Sequence, residues 1–396
     1  MKVLIIDEEV PWPLDTGKRL RTYNLVQRLQ REHAITYLCY GTPDAVLPDC
    51  PNVTLVTLPS PILEQRGIRF YWALLCNLLS SNPYIVDRHY SQSLADKAAA
   101  LVAQGSFDLL HCEWTPYTEN IRTLFGRIPT VLSAHNVEAQ IWERYYLTES
   151  NPLKKAYIYL QWKKLARYEA QAAQRYTGIS TVSEPDRDIF RHQYGCPQAD
   201  VVPNGVDERY FAPVEGAVQP GSMVFTGSMD WRPNQDGVSY FITEIFPLIR
   251  QQIPGASFTV VGRKPPQWLI DLAATTDGVT VTGTVDDVRP YIARSALYVV
   301  PLRVGGGSRL KILEALAMEK IVLSTTVGAE GLAVEEGTTV LLRDTPQTLA
   351  DTACQALADL ERFQNLGKNG RELIMQQYTW DAIAKIMAAL WERARG

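Results

Sequence analysis

Two short stretches carry chemistry that can be read directly from residue types. The more specific is Pro301-Leu-Arg303-Val-Gly305-Gly306-Gly307-Ser308-Arg309-Leu-Lys311-Ile-Leu-Glu314-Ala-Leu-Ala. Consecutive glycines ahead of a helix expose backbone N–H groups near Gly307 and Ser308, and Arg309 and Lys311 bring positive charge to the same place, which suits a diphosphate. Glu314, in the second turn of that helix, is placed to accept hydrogen bonds from vicinal ribose hydroxyls. The second stretch is Gly227-Ser228-Met229-Asp230-Trp231-Arg232-Pro233-Asn234, between a strand-like run and a helix that opens near Pro233. Proline suits a first helical turn, and Arg232 beside that terminus makes an anion pocket. Both stretches also read, more plainly, as glycine turns followed by solvated charges.

Two weaker signals lie in the first half. The loop 8–18 ends in Asp15-Thr16-Gly17-Lys18-Arg19 before a helix. Gly17 lets the backbone approach a ligand there, although a simple N-terminal turn has the same spelling. It is not a Walker loop, which needs Gly-x-x-x-x-Gly-Lys-Ser/Thr. His135-Asn136 follows the apolar run 130–134. A histidine at the carboxyl end of a parallel strand suits a sugar hydroxyl or a phosphate, and it can equally be structural.

These residues need elements to hold them. Apolar runs at 2–7, 34–39, 53–58, 107–112, 130–134 and 176–182 alternate with helix-period stretches such as 18–32. A second series follows at 223–226, 257–261, 279–282, 296–302, 321–324 and 339–342, with 233–252 among its helices. Continuous runs, rather than polar/apolar alternation, mark strands buried on both faces of a parallel sheet. The fold class is therefore α/β, with two Rossmann-like lobes. The expected division is 1–205 and 206–377, and a helix at 378–396 is expected to join the first lobe.

Composition narrows the function. The chain has 396 residues, 46% hydrophobic and 21% charged, which excludes intrinsic disorder and fibrous architecture. Its net charge of −4 offers no global field for nucleic acid, and none is expected as a partner. The six cysteines are scattered without a C-x-x-C pair, so neither a zinc site nor a disulfide framework is expected. The start, Met-Lys-Val-Leu-Ile-Ile-Asp, lacks the long apolar core of a signal peptide. The most apolar window, 70–79, is too short for a bilayer that takes roughly 20 residues. A cytoplasmic protein is expected, at most peripheral to the inner face of a membrane. No Gly-x-Ser-x-Gly elbow and no first-strand Gly-x-Gly-x-x-Gly occur, which disfavours serine hydrolase and nicotinamide or flavin chemistry.

In this order, the residues resemble glycosyltransferase family 4. The resemblance covers nearly the whole chain: Gly17, Ser133-Ala-His135-Asn136, Thr181-Val-Ser183-Glu184, Val202-Pro-Asn204-Gly205-Val206-Asp207, Phe225-Thr-Gly227-Ser228, Val261-Gly262-Arg263, Val281-Thr-Gly283 and Glu314-Ala-Leu-Ala. The family's Glu-x7-Glu signature keeps its second member as Glu314, while Gly306 stands at the first, so the chain resembles a branch lacking that glutamate. The resemblance implies a GT-B fold, two Rossmann-like lobes whose parallel sheets face each other across a cleft. It also implies a retaining transfer from a nucleoside-diphosphate sugar, a UDP-sugar foremost, with no metal or other cofactor. The donor would meet Gly17, Gly227, Ser228, Arg232, Arg263, Gly283, Gly307, Ser308 and Glu314, and His135, Arg309 and Lys311 would serve catalysis. Asp186-Arg187-Asp188, the one Asp-x-Asp spelling, sits in an expected helix and is not expected to hold metal.

The acceptor implied is a glycan or a lipid-linked sugar in polysaccharide or glycolipid synthesis. Residues 149–175 hold six basic side chains against two acidic ones, interleaved with Tyr157, Tyr159, Trp162 and Tyr168. Such a helix suits the surface of an anionic membrane, with 66–79 beside it, and equally suits ordinary packing. Two other functions fit the same lobes: a nucleotide-sugar 2-epimerase, and an inactive scaffold that binds sugar nucleotides without turnover.

Overall fold

A computed structural model of the protein describes residues 1–60, 67–214, 216, 218–304 and 309–396. The chain divides into two compact units, Met1–Pro203 with Ile383–Gly396, and Asn204–Ala382.

The first unit is built on a seven-stranded sheet of β1 (Lys2–Glu9), β2 (Ala34–Tyr40), β3 (Val53–Leu58), β4 (Leu109–Glu113), β5 (Thr130–Ala134), β6 (Gly178–Thr181) and β7 (Ala199–Val201). Its order is β3-β2-β1-β4-β5-β6-β7 and every pairing is parallel. Strand β4 is buried along its whole length, as apolar runs covered by helices on both faces require. The chain builds outward from β1 to β3, then returns to lay β4 on the other side of β1. In such sheets this reversal opens a crevice beyond the carboxyl ends of the two central strands.

The second unit repeats the scheme with β8 (Gln219–Thr226), β9 (Ser257–Val261), β10 (Val279–Gly283), β11 (Ser295–Val300), β12 (Val322–Ser324) and β13 (Leu341–Leu342). The order β10-β9-β8-β11-β12-β13 is again parallel, and its reversal lies between β8 and β11. Phe225, Phe241, Phe246, Phe258 and Tyr298 fill the core around it.

The closing helix, Trp380–Arg395, contributes to both units. Trp380 is buried in the second, so close to Gly205 that a Cβ there would lie 2.7 Å from its ring. Trp391 is buried in the first and donates from Nε1 to His111 Nδ1 at 2.9 Å. Among the described residues no helix is long and apolar enough to cross a membrane.

Candidate functional site

In the second unit the carboxyl ends of three neighbouring strands are stacked glycine turns. Gly227 follows β8, Gly262 follows β9 and Gly283 ends β10. Gly227 N–H donates to Val261 O at 2.9 Å and Gly262 N–H to Gly283 O at 3.2 Å, which ties the turns together. A Cβ on Gly262 would fall 1.8 Å from the Gly227 carbonyl oxygen, and Gly283 has φ +72°, so neither position accepts a side chain freely. Arg263 donates from Nε to Ser228 Oγ at 2.8 Å, and Ser228 Oγ donates to Asp230 Oδ1 at 2.6 Å. Arg232 is exposed at the first turn of helix Arg232–Tyr240.

Across the sheet reversal stands helix Leu310–Ala317. Lys311 reaches back to the Gly227 turn: its Nζ donates to Asn234 Oδ1 at 2.7 Å and sits 4.0 Å from the centre of the Phe225 ring. A Cβ added to Gly227 would lie 2.8 Å from that ammonium, so the missing side chain is what leaves room for it. Burial pushes Lys311 down to about 7, and the Glu314 charge only partly opposes this. Burial likewise pushes Glu314 up to about 7, against the pull of Lys311. No described residue hydrogen-bonds the Glu314 carboxylate. A buried lysine amine and a buried carboxylate beside strand-end N–H groups make a place where an anion and a diol can be held together.

Arg309 takes a different direction. It is buried, donates from Nη2 to Val327 O at 2.8 Å, and approaches Glu330 at 3.6 Å. Residues two apart at a helix start do not share a face, so Arg309 and Lys311 diverge. Gly305, Gly306, Gly307 and Ser308 lie outside the described residues. Gly17 and His135 belong to the first unit. Gly17 opens helix Gly17–Leu29, whose N-cap Thr16 accepts from Arg19 N–H, and a Cβ at Gly17 would meet nothing within 4 Å.

His135, at the end of β5, is part of a buried network at the first unit's own sheet reversal. Its Nε2 lies 2.7 Å from Glu113 Oε2, at the end of β4. The other Glu113 oxygen lies 3.1 Å from His111 Nε2. Burial alone would raise Glu113; the hydrogen bonds from the two histidines outweigh it and hold the carboxyl well below its usual range. At the end of β1, Asp7 pairs with Lys18 Nζ at 2.6 Å and accepts from Tyr37 OH. Burial also works to raise Glu8, yet His89 and Lys18 bring it down to about 2. Trp114 follows β4 with φ +83°, a costly backbone for a bulky residue, and such outliers gather at functional sites. Its Nε1 donates to Glu138 Oε1 at 2.7 Å, and its ring meets His89 edge-on with centroids 4.9 Å apart.

The start of helix Glu138–Thr148 is held by Glu169, which accepts from Glu138 N–H at 3.0 Å, Ala139 N–H at 3.2 Å and Tyr194 OH at 3.0 Å. Burial raises Glu138 to about 7 and Glu169 to about 8, the latter helped by the Glu138 charge. Both folded values lie above the unfolded one, so the folded state binds more protons between pH 4.5 and 8 and loses stability as pH rises through that window. Urea unfolding at pH 5.5 and pH 8 should show the loss, and Glu138→Gln should flatten it. An equal pH slope in the variant would refute this account of Glu138.

Sequence reasoning found His135 but missed Asp7, Glu113, Trp114 and Glu138. For Asp7 and Glu113 the available signal was an acidic residue at the end of an apolar run, closing 2–7 and following 107–112, at the two strands that flank the reversal. Trp114 and Glu138 left no such mark.

Residues 17–210 match Glycosyltransferase Family 4, and residues 220–359 match Glycosyl transferases group 1. The GDP-mannose-dependent alpha-(1-6)-phosphatidylinositol monomannoside mannosyltransferase of Mycobacterium tuberculosis is 27% identical over 235 residues. That match takes in 53% of this chain and 60% of the relative, so the chain spans only 60% of that relative's length. Sucrose-phosphate synthase from Thermosynechococcus elongatus superposes with a TM-score of 0.72 at 18% identity, over 99% of this chain and 98% of its own. Anabaena HepE in complex with UDP superposes with a TM-score of 0.66 at 14% identity, over 98% and 99%. At these identities the likeness shows the fold, which is GT-B: two α/β units, each on a parallel sheet.

Proposed function

A family 4 domain followed by a group 1 domain makes this chain a glycosyltransferase, and from that premise we propose that it moves a sugar from a nucleoside-diphosphate sugar to a hydroxyl acceptor, with retention and without a metal ion. The observation that carries this reading is Lys311 at the glycine turn of Gly227, beside a Glu314 carboxylate with no described hydrogen-bond partner. Lys311, with Arg263 and Arg232 at the turns after β9 and β8, neutralises the leaving diphosphate, while Arg309, turned towards Val327, takes no direct part. Glu314 takes the ribose hydroxyls, and the turns at Gly227, Ser228 and Gly283 shape the floor of the pocket. Fixed cationic donors in a desolvated site stabilise a leaving group without reorganising, the largest single contribution in many enzymes.

In the transfer, the acceptor oxygen bonds to the anomeric carbon on the face the diphosphate leaves. The bond from that carbon to the phosphate oxygen breaks, and the acceptor proton passes to the departing phosphate. The acceptor belongs to the first unit, where His135 meets a hydroxyl and Trp114 offers an apolar face at the end of β4. UDP-sugar is the leading donor, in keeping with the UDP held by HepE. GDP-mannose is the second reading, because the mycobacterial relative is named for it. Incubation with each donor and an acceptor panel in the presence of chelator tests the reading: the product should keep the donor's anomeric configuration by NMR. An inverted product, turnover lost to chelation, or an epimerised nucleotide sugar without acceptor would each contradict it.

The acceptor is a glycan or lipid-linked sugar at the cytoplasmic face of an anionic membrane. Two helices of the first unit support this. Helix Ile68–Leu78 exposes Tyr71, Trp72, Leu75 and Leu78, and helix Pro152–Ala173 exposes Leu153 and Tyr159 beside Lys154, Lys163 and Arg167. They are pinned together where Lys164 Nζ donates to the carbonyls of Asn77 and Ser80, each at 2.7 Å. Each basic side chain near the surface adds about 1 kcal/mol of attraction. The protein should sediment with phosphatidylserine vesicles at low salt, and Lys154→Glu with Lys163→Glu should release it. Equal sedimentation of that double variant would count against this surface.

A further inference from the structure

The network behind His135 has a direction that its hydrogen-bond chemistry imposes. An indole N–H can only donate, so Trp391 Nε1, 2.9 Å from His111 Nδ1, obliges that nitrogen to be bare. His111 then carries its proton on Nε2 and donates to Glu113 Oε1 at 3.1 Å. Glu113 Oε2 is left for His135 Nε2 at 2.7 Å, and a carboxylate only accepts, so His135 donates from Nε2. All three groups behind His135 are buried: Trp391 and His111 are 1% exposed and Glu113 3%. His135 itself is the outermost member, and its Nδ1 bonds no described residue.

We propose that Glu113 is a positioning residue for the transfer: it fixes the His135 proton on Nε2 and so presents a bare Nδ1 to the substrate. This rests on the reading that His135 meets the acceptor, and it sharpens that reading. In the neutral ring a bare Nδ1 accepts a hydrogen bond. Its complement is therefore a sugar hydroxyl and not a phosphate oxygen, which could only repel it. The chain Trp391–His111–Glu113–His135 also gives the closing helix a role: it sets a tautomer at the end of β5, across β4.

Glu113→Gln tests this because an amide has one accepting end and one donating end. His111, locked by Trp391, still donates and takes the amide oxygen. The amide N–H then faces His135 Nε2, and two donors cannot share a hydrogen bond. The His135 proton must move to Nδ1, which turns the substrate-facing atom from acceptor to donor. Imidazole 15N NMR at pH 8 should find Nε2 protonated and Nδ1 bare in the unmodified protein, and the reverse at His135 in the variant. Turnover should fall roughly ten- to a hundredfold, the scale for carboxylate partners of metal-bound histidines. The KM for the donor should hold. Adding Trp391→Phe frees His111 to turn over its own tautomer, so the double variant should regain part of the loss.

A proton on Nδ1 in the unmodified protein overturns the proposal, and this measurement needs no variant to fold. So does a Glu113→Gln protein that loses turnover with the His135 proton still on Nε2. His135→Ala separates the two levels. If it loses turnover while Glu113→Gln switches the tautomer at no cost, positioning fails and the His135 role stands. If His135→Ala keeps full turnover, the role of His135 itself fails.

Discussion

Lys311→Met should lose about a hundred- to a thousandfold in turnover, the cost of removing one fixed donor to a developing anion, or ~3–4 kcal/mol. Stability should hardly notice. Burial already drives the ammonium towards neutrality at about 7, so the folded protein derives little from its charge in the absence of ligand. Methionine keeps the apolar stem against Phe225, and the main loss is the donor to Asn234 Oδ1, worth ~1 kcal/mol. The second unit's unfolding midpoint should therefore shift by no more than about 4 °C. Large loss of activity without loss of fold is the signature of a group kept for ligand chemistry. A variant that keeps most of its turnover would remove Lys311 from the leaving-group pocket.

Gly262→Ala should act in the opposite manner, damaging the binding surface through the backbone. Its Cβ would fall 1.8 Å from the Gly227 carbonyl oxygen and 2.7 Å from the carbonyl carbon, and neither atom can swing aside as a side chain would. The turns after β8 and β9 must part, yet Met229 N–H to Arg263 O and Gly227 N–H to Val261 O, each 2.9 Å, hold them. Overpacking of this kind costs about 1–3 kcal/mol, and a displacement near 1 Å at a site can cost a hundredfold. Nucleoside diphosphate affinity should fall by about two orders of magnitude, with the second unit destabilised and the first unchanged. Gly255→Ala is the control: a Cβ there meets nothing within 4 Å, and both quantities should stay as they are. Normal affinity in Gly262→Ala would mean that these stacked turns are not the binding floor.

The strands were the most legible part of the sequence. Long apolar runs such as 107–112 and 296–302 became β4 and β11 because strands buried on both faces are mostly apolar, with the few polar members, His111 and Glu113 in β4, paired by hydrogen bonds. Among the described strands, the one without a warning was β7, Ala199–Val201, three residues with an aspartate at the sheet edge. Its pairing with β6 comes from tertiary position and not from pattern. The glycine turns were legible for a similar reason: Gly262 and Gly283 are demanded by backbone geometry that leaves a local mark.

Partnerships across the sheet were not legible. Glu113 and His135 stand 22 residues apart, and only the parallel register that sets Glu113 beside Ser133 brings them together. Nothing local to either residue announces the pair. Arg309 and Lys311 are the converse case, adjacent in sequence and grouped by charge. The helix start sends one to the Val327 carbonyl and the other to Asn234. Spacing identified which residues share a loop, and periodicity decided which of them share a face.

The second unit is expected to bind a nucleoside diphosphate through Lys311. Calorimetric titration of UDP and GDP at pH 8, with chelator present and in two buffers of different ionisation enthalpy, reads that binding and its proton uptake together. Lys311 is held down to about 7 when free, and a bound diphosphate must raise it. Binding should therefore take up about one proton, with affinity falling as pH climbs above 7. Lys311→Met should bind more weakly and take up none. Tight binding that is unchanged in Lys311→Met and carries no proton, or no binding of either nucleotide, would contradict the account.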